Sequence, residues 1–303
     1  MSREAEFHRL LTARPLHPAA RGLVDDAAVL DGLVFTHDTL VEGVHARRDD
    51  PPESYGWKLA AANLSDLAAK GAAPVGCLLS YPLAPEPGWD ARFLDGLTAC
   101  LDEYGMPLIG GDTVRVPDGS ARVFGLTAIG RAPPGGAPSR VGGRVGDTLW
   151  VSGPVGEAGW GLALLEEGED GVEGAPQAIA AYRFPRPHLA LGRAVASHVT
   201  ATMDVSDGLL IDAARLAAAS GCGATLTDVP VSAAWTAAHD GSVEALIQAA
   251  SAGDDYVLLF TAPDRPAAAH DALPIGRLEA EPGLRLVLDG QQVALPERLG
   301  WEH

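Results

Sequence analysis

Apolar and polar residues alternate along the first half of the chain in short β-rich runs, Leu33 to Asp38, Val75 to Tyr81, Pro107 to Thr113 and Arg122 to Ile129. Helical patterns separate these runs, which predicts a layered α/β or α+β arrangement. One predicted helix starts at Ser54, a residue suited to the N-cap, and stops at Gly71. Its stripe is Trp57, Ala60, Ala61, Leu64, Leu67 and Ala68. Asn63 and Asp66, three residues apart, share a flank beside the apolar edge, a placement suited to a cleft.

A Gly/Pro-rich segment, Ala132-Pro-Pro-Gly-Gly-Ala-Pro-Ser139, interrupts the pattern and resembles an interdomain connection. It predicts two domains, 1–135 and 136–303. In the second half, Gly146 to Ser152 reads as a strand leading into a helix from Gly159 to Glu167. Thr200 to Val205 is a further strand, Ser206 is a possible cap, and Asp207 to Ala219 is an amphipathic helix closed by Gly221. Gly168 to Gly174 is acidic and glycine-rich, and reads as a mobile surface loop.

With 47% hydrophobic and 20% charged residues among 303, the chain can bury a sizeable core. The longest apolar stretch, Val75 to Leu83, falls well short of the ~20 residues of a membrane helix. The N-terminus lacks the apolar core of a signal peptide. Cys77, Cys100 and Cys222 suggest neither a disulfide framework nor a zinc site, and each reads as a small buried apolar side chain in a reducing cytoplasm. Forty acidic residues against twenty-two basic ones give a net charge of −18, which disfavours nucleic acid and anionic membranes as partners.

Walker, dinucleotide-binding, zinc-protease and nucleophile-elbow motifs are all missing. What the sequence offers is aspartate, placed at element ends and on the cleft-suited flank: Val24-Asp25-Asp26, Thr36-His37-Asp38, Leu64-Ser-Asp66, Gly110-Gly-Asp112-Thr, and Met203-Asp204-Val-Ser206-Asp207-Gly. A single aspartate at a turn is commonly a cap. Several gathered in one place repel one another unless a cation compensates, and hard oxygen ligands without His or Cys select magnesium or calcium. Magnesium held this way usually bridges carboxylates to substrate phosphates, which points to a nucleoside triphosphate.

These motifs, with Thr36-His-Asp-Thr-Leu-Val-Glu-Gly-Val-His45, Ala62-Asn-Leu-Ser-Asp66-Leu-Ala-Ala-Lys-Gly, Ser139-Arg140, Gly253-Asp254-Asp255-Tyr256 and the tail Gly300-Trp301-Glu-His303, resemble thiamine-monophosphate kinases over nearly the whole chain. The double aspartate, the Ser-Asp-Leu-Ala-Ala helix and the Ser-Asp-Gly turn mark the wider superfamily of aminoimidazole ribonucleotide synthetase. The resemblance implies a two-domain synthetase-like fold, a homodimer built on a shared barrel of N-terminal strands, and ATP held between the domains. It assigns magnesium ions to Asp26, Thr36, Asp38, Asp66, Asp112, Asp204 and Asp207. His37 is carried with that set by position alone, since a lone histidine there is more often structural. Gly111, Asp112, Arg140 and Ser206 would contact the nucleotide, with Tyr104 a weaker candidate, and K+ is a further candidate cation. His45, Asp254 and Trp301 would line the thiamine-phosphate pocket.

Some positions depart from the family pattern: Val24 stands for Gly, Lys70 for Met, His188 for Arg and Asp254 for Glu. The expected reaction is in-line transfer of the ATP γ-phosphoryl group to the acceptor phosphate without a phospho-enzyme. A phosphate monoester, with a second pKa near ~6, is already largely an oxyanion at neutral pH, so no general base is required. The alternatives are another ATP-using synthetase of the superfamily, or a non-catalytic magnesium-nucleotide-binding assembly factor.

Overall fold

The computed structural model describes residues 3–302 apart from 118, 169 and 170, and only the backbone of residues 4 and 5. After an N-terminal helix, α1 (Arg3–Thr12), the first half contains β1 (Ala28–Leu30), β2 (Leu33–Val41), α2 (Pro52–Ala69), β3 (Ala73–Pro82), α3 (Trp89–Tyr104), β4 (Leu108–Val114) and β5 (Val123–Arg131). Its five strands form one sheet in the order β1-β2-β5-β3-β4, antiparallel except for the β3–β4 pair. The second half runs β6 (Thr148–Val151), α4 (Glu157–Glu167), α5 (Ala175–Arg183), α6 (Leu189–Val195), β7 (Ala201–Val205), α7 (Leu209–Ala219), β8 (Gly223–Leu226), α8 (Ala233–Ala238), α9 (Val243–Ser251), β9 (Val257–Ala262), β10 (Leu273–Glu279), β11 (Leu284–Leu288) and β12 (Gln291–Val293). These seven strands make a second sheet, β12-β11-β8-β10-β6-β9-β7, in which only β8 and β11 run parallel. Among the described residues no strand is shared between the sheets. The four predicted strands of the first half and both predicted helices of the second are present with adjusted ends. Glu169 and Asp170 of the predicted mobile loop lie outside the described residues.

Helix α2 differs most from its sequence-based expectation. It begins at Pro52 rather than Ser54, whose hydroxyl donates to the Pro51 carbonyl at 2.7 Å inside the first turn. Proline suits this position because its missing N–H would be unpaired there anyway. Moreover, the helix has no solvated face: all but three of its residues are buried, and it packs against α3, the first sheet, α6 and strands β7 and β9. Small residues make this possible. A Cβ on Gly56 would lie 2.2 Å from the Phe93 carbonyl oxygen, and one on Gly96 would lie 1.9 Å from that of Glu53, so α2 and α3 cross almost backbone to backbone. On its other side Gly192 of α6 is as close to Ala68. The first apolar core therefore continues through α2 into Trp150, Leu258 and Phe260 of the second sheet. A second core lies between that sheet and α7.

Helix α7 also starts later than predicted, at Leu209, and Ser206 does not cap it. Instead Asp212, from within the helix, reaches back to accept from the Ser206 and Asp207 amides at 3.1 and 3.0 Å. Cys77, Cys100 and Cys222 are free and buried. Among the described residues no helix is long and apolar enough to cross a membrane.

Replacing Gly192 by Ala would place a methyl group about 2.0 Å from the Ala68 carbonyl oxygen. Overpacking of this kind costs about 1–3 kcal/mol. Gly192→Ala is expected to lower the thermal midpoint by several degrees, whereas Gly241→Ala, with nothing within 4 Å of its Cβ, carries only the strain of its positive φ. Equal melts for the two variants would refute the close-crossing account.

Candidate active site

The seam between the two sheets holds a cavity of about 950 Å³. One end is acidic. Asp38 comes from β2, Asp66 from α2, Asp204 from β7 and Asp207 from the turn before α7. Ligand-capable oxygens of Asp26, Asp66 and Asp204 lie within 4.8 Å of one another. Thr36 donates to Asp66, and the Asn63 side-chain oxygen accepts from the Asp38 amide at 3.2 Å. Strand alternation explains the pairing, because Thr36 and Asp38 share the face of β2 that packs on α2.

Burial dominates the electrostatics. It pushes Asp204 up to about 8, helped by Asp26, and Asp38 to about 6, and it raises Asp66 well above the usual carboxylate range with Asp38 and Asp204 adding repulsion. Among the described residues no lysine or arginine is ion-paired with these three. Oxygen-only donors in close array, destabilised when charged, fit a hard divalent cation such as magnesium.

Asp25 and Asp26 are different, because cations surround both. Lys70 Nζ pairs with Asp25 and, at 2.6 Å, with Asp26. Arg21 holds Asp25 at 2.6 Å and Ser139 donates to it at 2.7 Å, while Arg140 pairs with Asp26. Burial alone would raise Asp25, but Lys70, Ser139 and Arg21 outweigh it and hold the carboxyl at about 2. Asp26 is likewise lowered against its burial by Lys70 and Arg140. Among the described residues the buried Arg140 Nε has no hydrogen-bond partner. Asp207 pairs with Arg215, which also reaches Asp212 at 3.0 Å.

The other end of the cavity brings together His45, Asp254 and Trp301, residues far apart in sequence. His45 Nδ1 accepts from the Val41 amide at 2.9 Å, which leaves its proton on Nε2. The tail is pinned where the Trp301 amide donates to the Asp207 carbonyl at 2.9 Å, and the indole is half exposed. His303, the last residue of the motif, lies outside the described residues. Asp254 is not a lone charge. Lys58 donates to one oxygen at 2.7 Å and the Tyr256 hydroxyl to the other at 3.1 Å. Lys58 itself is 3% exposed, lies 4.0 Å from the Tyr182 ring centroid and donates to the His45 carbonyl.

Four predicted residues are not brought to the acidic cluster. His37 borders the cavity, but its side chain alternates to the opposite face of β2 from Thr36 and Asp38, where its ring bonds Thr127 at 2.9 Å. Gly111 and Asp112 sit on β4, the exposed edge of the first sheet, beside Leu79 and Ser80 of β3. Two strands, β5 and β3, intervene between β2 and β4, which puts Asp112 roughly 14 Å from Asp38 across the sheet. Tyr104 ends α3 half-buried against the first core and beside Arg186. Conversely, the motifs did not mark Lys58, Asp212 or the bridging role of Lys70. A lysine inside an otherwise apolar helix was the available signal for the first and third.

The family models for the AIR synthase related protein match residues 24–132, for the N-terminal domain, and 144–289, for the C-terminal domain. A thiamine-monophosphate kinase of Caulobacter vibrioides is 36% identical over 96% of this chain and 89% of its own length. That of Salmonella typhimurium is 37% identical over 93% and 91%. The chain belongs to the thiamine-monophosphate kinase family. A solved structure described as AaThiL complexed with AMPPCP and TMP superposes with a TM-score of 0.84 at 28% identity, over 99% of this chain and 95% of that one. The family fold accounts for both sheets and the seam between them.

Asp38 and Asp204 have folded pKa values above their ordinary ones, so their stabilising contribution is complete below about 3.8 and is lost as pH rises through about 6 and about 8. In EDTA the thermal midpoint is expected to fall across pH 4 to 8. Asp204→Asn should flatten that fall and raise the midpoint at pH 8 by several degrees, because every tenfold difference in proton affinity between folded and unfolded chains is worth ~1.4 kcal/mol. Parallel wild-type and variant curves would refute it.

Proposed function

We propose that the chain transfers the γ-phosphoryl group of ATP in line to the phosphate of thiamine monophosphate, giving thiamine diphosphate and ADP. One observation carries this reading: a single cavity is lined both by the carboxylates Asp38, Asp66, Asp204 and Asp207 and by the aromatic and hydrogen-bonding groups of His45, Asp254 and Trp301. Two polyanions must meet between them, and magnesium supplies the charge that permits it. Asp38, Asp66 and Asp204, with Thr36, Asp207 and one oxygen of Asp26, would hold magnesium, and K+ is a further cation of the site. Arg140, with its unpartnered buried Nε, and Ser206 would contact phosphates. No residue need act as a base, because the acceptor oxygen is already ionised.

At the acceptor end, Trp301 offers an aromatic face to the thiazolium and His45 a ring Nε2–H donor. Asp254 acts as a hydrogen-bonding group held in place by Lys58 and Tyr256. We assign Gly111, Asp112 and Tyr104 to the nucleotide through a second copy of the chain. The outward face and edge of the first sheet expose Val75, Leu78, Leu108, Ile109 and Val123, an apolar surface suited to a homodimer in which a partner's edge strand reaches this seam. The domain division is taken at 135/136, the compartment as the cytoplasm.

Release of ADP in a coupled assay should require thiamine monophosphate and magnesium, with thiamine and aminoimidazole ribonucleotide precursors inactive. Turnover with a precursor in place of thiamine monophosphate would overturn the assignment.

Asp66→Asn should keep the fold and lower turnover by about a hundredfold or more, since a metal bridging phosphates contributes several kcal/mol to the transition state. Near-normal turnover at saturating magnesium would remove Asp66 from the metal site.

Trp301→Ala should raise the Michaelis constant for thiamine monophosphate about 2- to 30-fold, the equivalent of ~0.5–2 kcal/mol, and leave that for ATP nearly unchanged. If only the melting temperature changes, the tail is a clasp and not part of the pocket.

A further inference from the structure

Lys70 is the C-cap residue of α2 and is fully buried, in the midst of the acidic cluster. Its ammonium has three oxygen neighbours: Asp25, Asp26 at 2.6 Å and the Thr202 carbonyl at 3.2 Å. Two carboxylates and a backbone carbonyl form the kind of oxygen nest that otherwise holds a hard cation. The backbone fixes the donor as well. Gly71, at φ 57°, has no room for a side chain, because a Cβ would meet Ala196 at 2.5 Å, so the end of α2 is wedged against the second half. The remaining oxygens of Asp25 and Asp26 face Arg21 and Arg140. Three positive charges thus meet two negative ones on this side of the cluster, while Asp38, Asp66 and Asp204 have no basic partner among the described residues.

We propose that the Lys70 ammonium is a tethered cation that takes the place of one exchangeable metal ion, bridging Asp25 and Asp26 so that divalent cations are confined to the Asp38–Asp66–Asp204 side. The inference rests on the reading of the cluster as a magnesium site. It follows that Asp26 can offer a metal only the oxygen now facing Arg140, and only once that guanidinium turns to a phosphate; its other oxygen stays with Lys70. It also follows that the Asp25–Asp26 side keeps its geometry without metal.

The test is a metal count with Mn2+ as the probe. At saturating Mn2+ and a non-hydrolysable ATP analogue, Lys70→Met should bind about one more Mn2+ per chain than the wild type. In EDTA its thermal midpoint should lie below the wild type's and should rise further on adding Mn2+. Equal, non-zero counts would overturn the inference alone, whereas no Mn2+ on either protein would overturn the magnesium reading and the inference with it. Should Lys70→Met not fold, anomalous scattering from Mn2+-soaked wild-type crystals decides the matter. Density beside Asp66 and Asp204 with none between Asp25 and Asp26 supports the inference, and a peak bridging Asp25 and Asp26 overturns it.

Discussion

The burial of α2 between two sheets is the constraint on which this site depends. A helix with no solvated face must satisfy every polar group it carries, and α2 carries Lys58, Asn63, Ser65 and Asp66. Lys58 reaches Asp254, Asn63 reaches β2, and Asp66 receives the Thr36 hydroxyl. Because glycines and alanines let α3 and α6 approach so closely, the helix cannot turn or slide to place these groups elsewhere. Packing thus positions the chemistry, and the seam is where the polar groups of a buried helix find their partners.

Charge within the seam is divided unevenly. Asp25 and Asp26, met by lysine and arginine, are held below the ordinary carboxylate range, whereas Asp38, Asp66 and Asp204, met by one another and by hydroxyl or amide groups, are pushed above it. The second group is where a metal gains most, because replacing a proton by a divalent cation relieves both desolvation and mutual repulsion. Sequence motifs treat the two groups alike, as aspartates at turns. Only the positions of Lys70, Arg21 and Arg140 distinguish them, and these depend on contacts spanning up to 132 residues of chain.

Much of the fold was legible because alternation and turn chemistry are local. The four strands of the first half and their layering with helices follow from the residue pattern, and the family resemblance added the two-domain synthetase-like fold. Helix α2 departs from the amphipathic surface helix that its stripe predicts. Its alanines and glycines are small because neighbours crowd every side, which a stripe count cannot distinguish from a weakly apolar face. His37 shows another limit. Adjacent strand residues point to opposite faces, so its place between Thr36 and Asp38 speaks against a shared ligand role, and that period of two was visible in the sequence. Asp112 is a different case. Its motif is intact, yet its strand is an exposed sheet edge, so its role is settled by what covers that edge.

The acceptor end illustrates how a side chain's charge and its role can separate. From sequence, Asp254 is a carboxylate suited to a cationic ring. In the structure both its oxygens accept hydrogen bonds, one from a lysine whose ammonium is itself buried against Tyr182. The pair is close to neutral as seen by a ligand, so it contributes direction more than attraction. Asp254 and Tyr256 also occupy positive-φ backbone, a conformation held by the hydrogen bonds their amides donate to the Ser206 and Val205 carbonyls beside the metal-suited end. The same short turn therefore joins the two ends of the cavity, since its side chain faces the acceptor while its backbone is tied to the segment carrying Asp204 and Asp207. On the proposed reading, attraction for the thiazolium then falls to the aromatic face of Trp301, whose amide is tied to that segment at Asp207. Both ends of the cavity are thus referenced to one stretch of backbone, which is the geometry an in-line transfer between two phosphates demands.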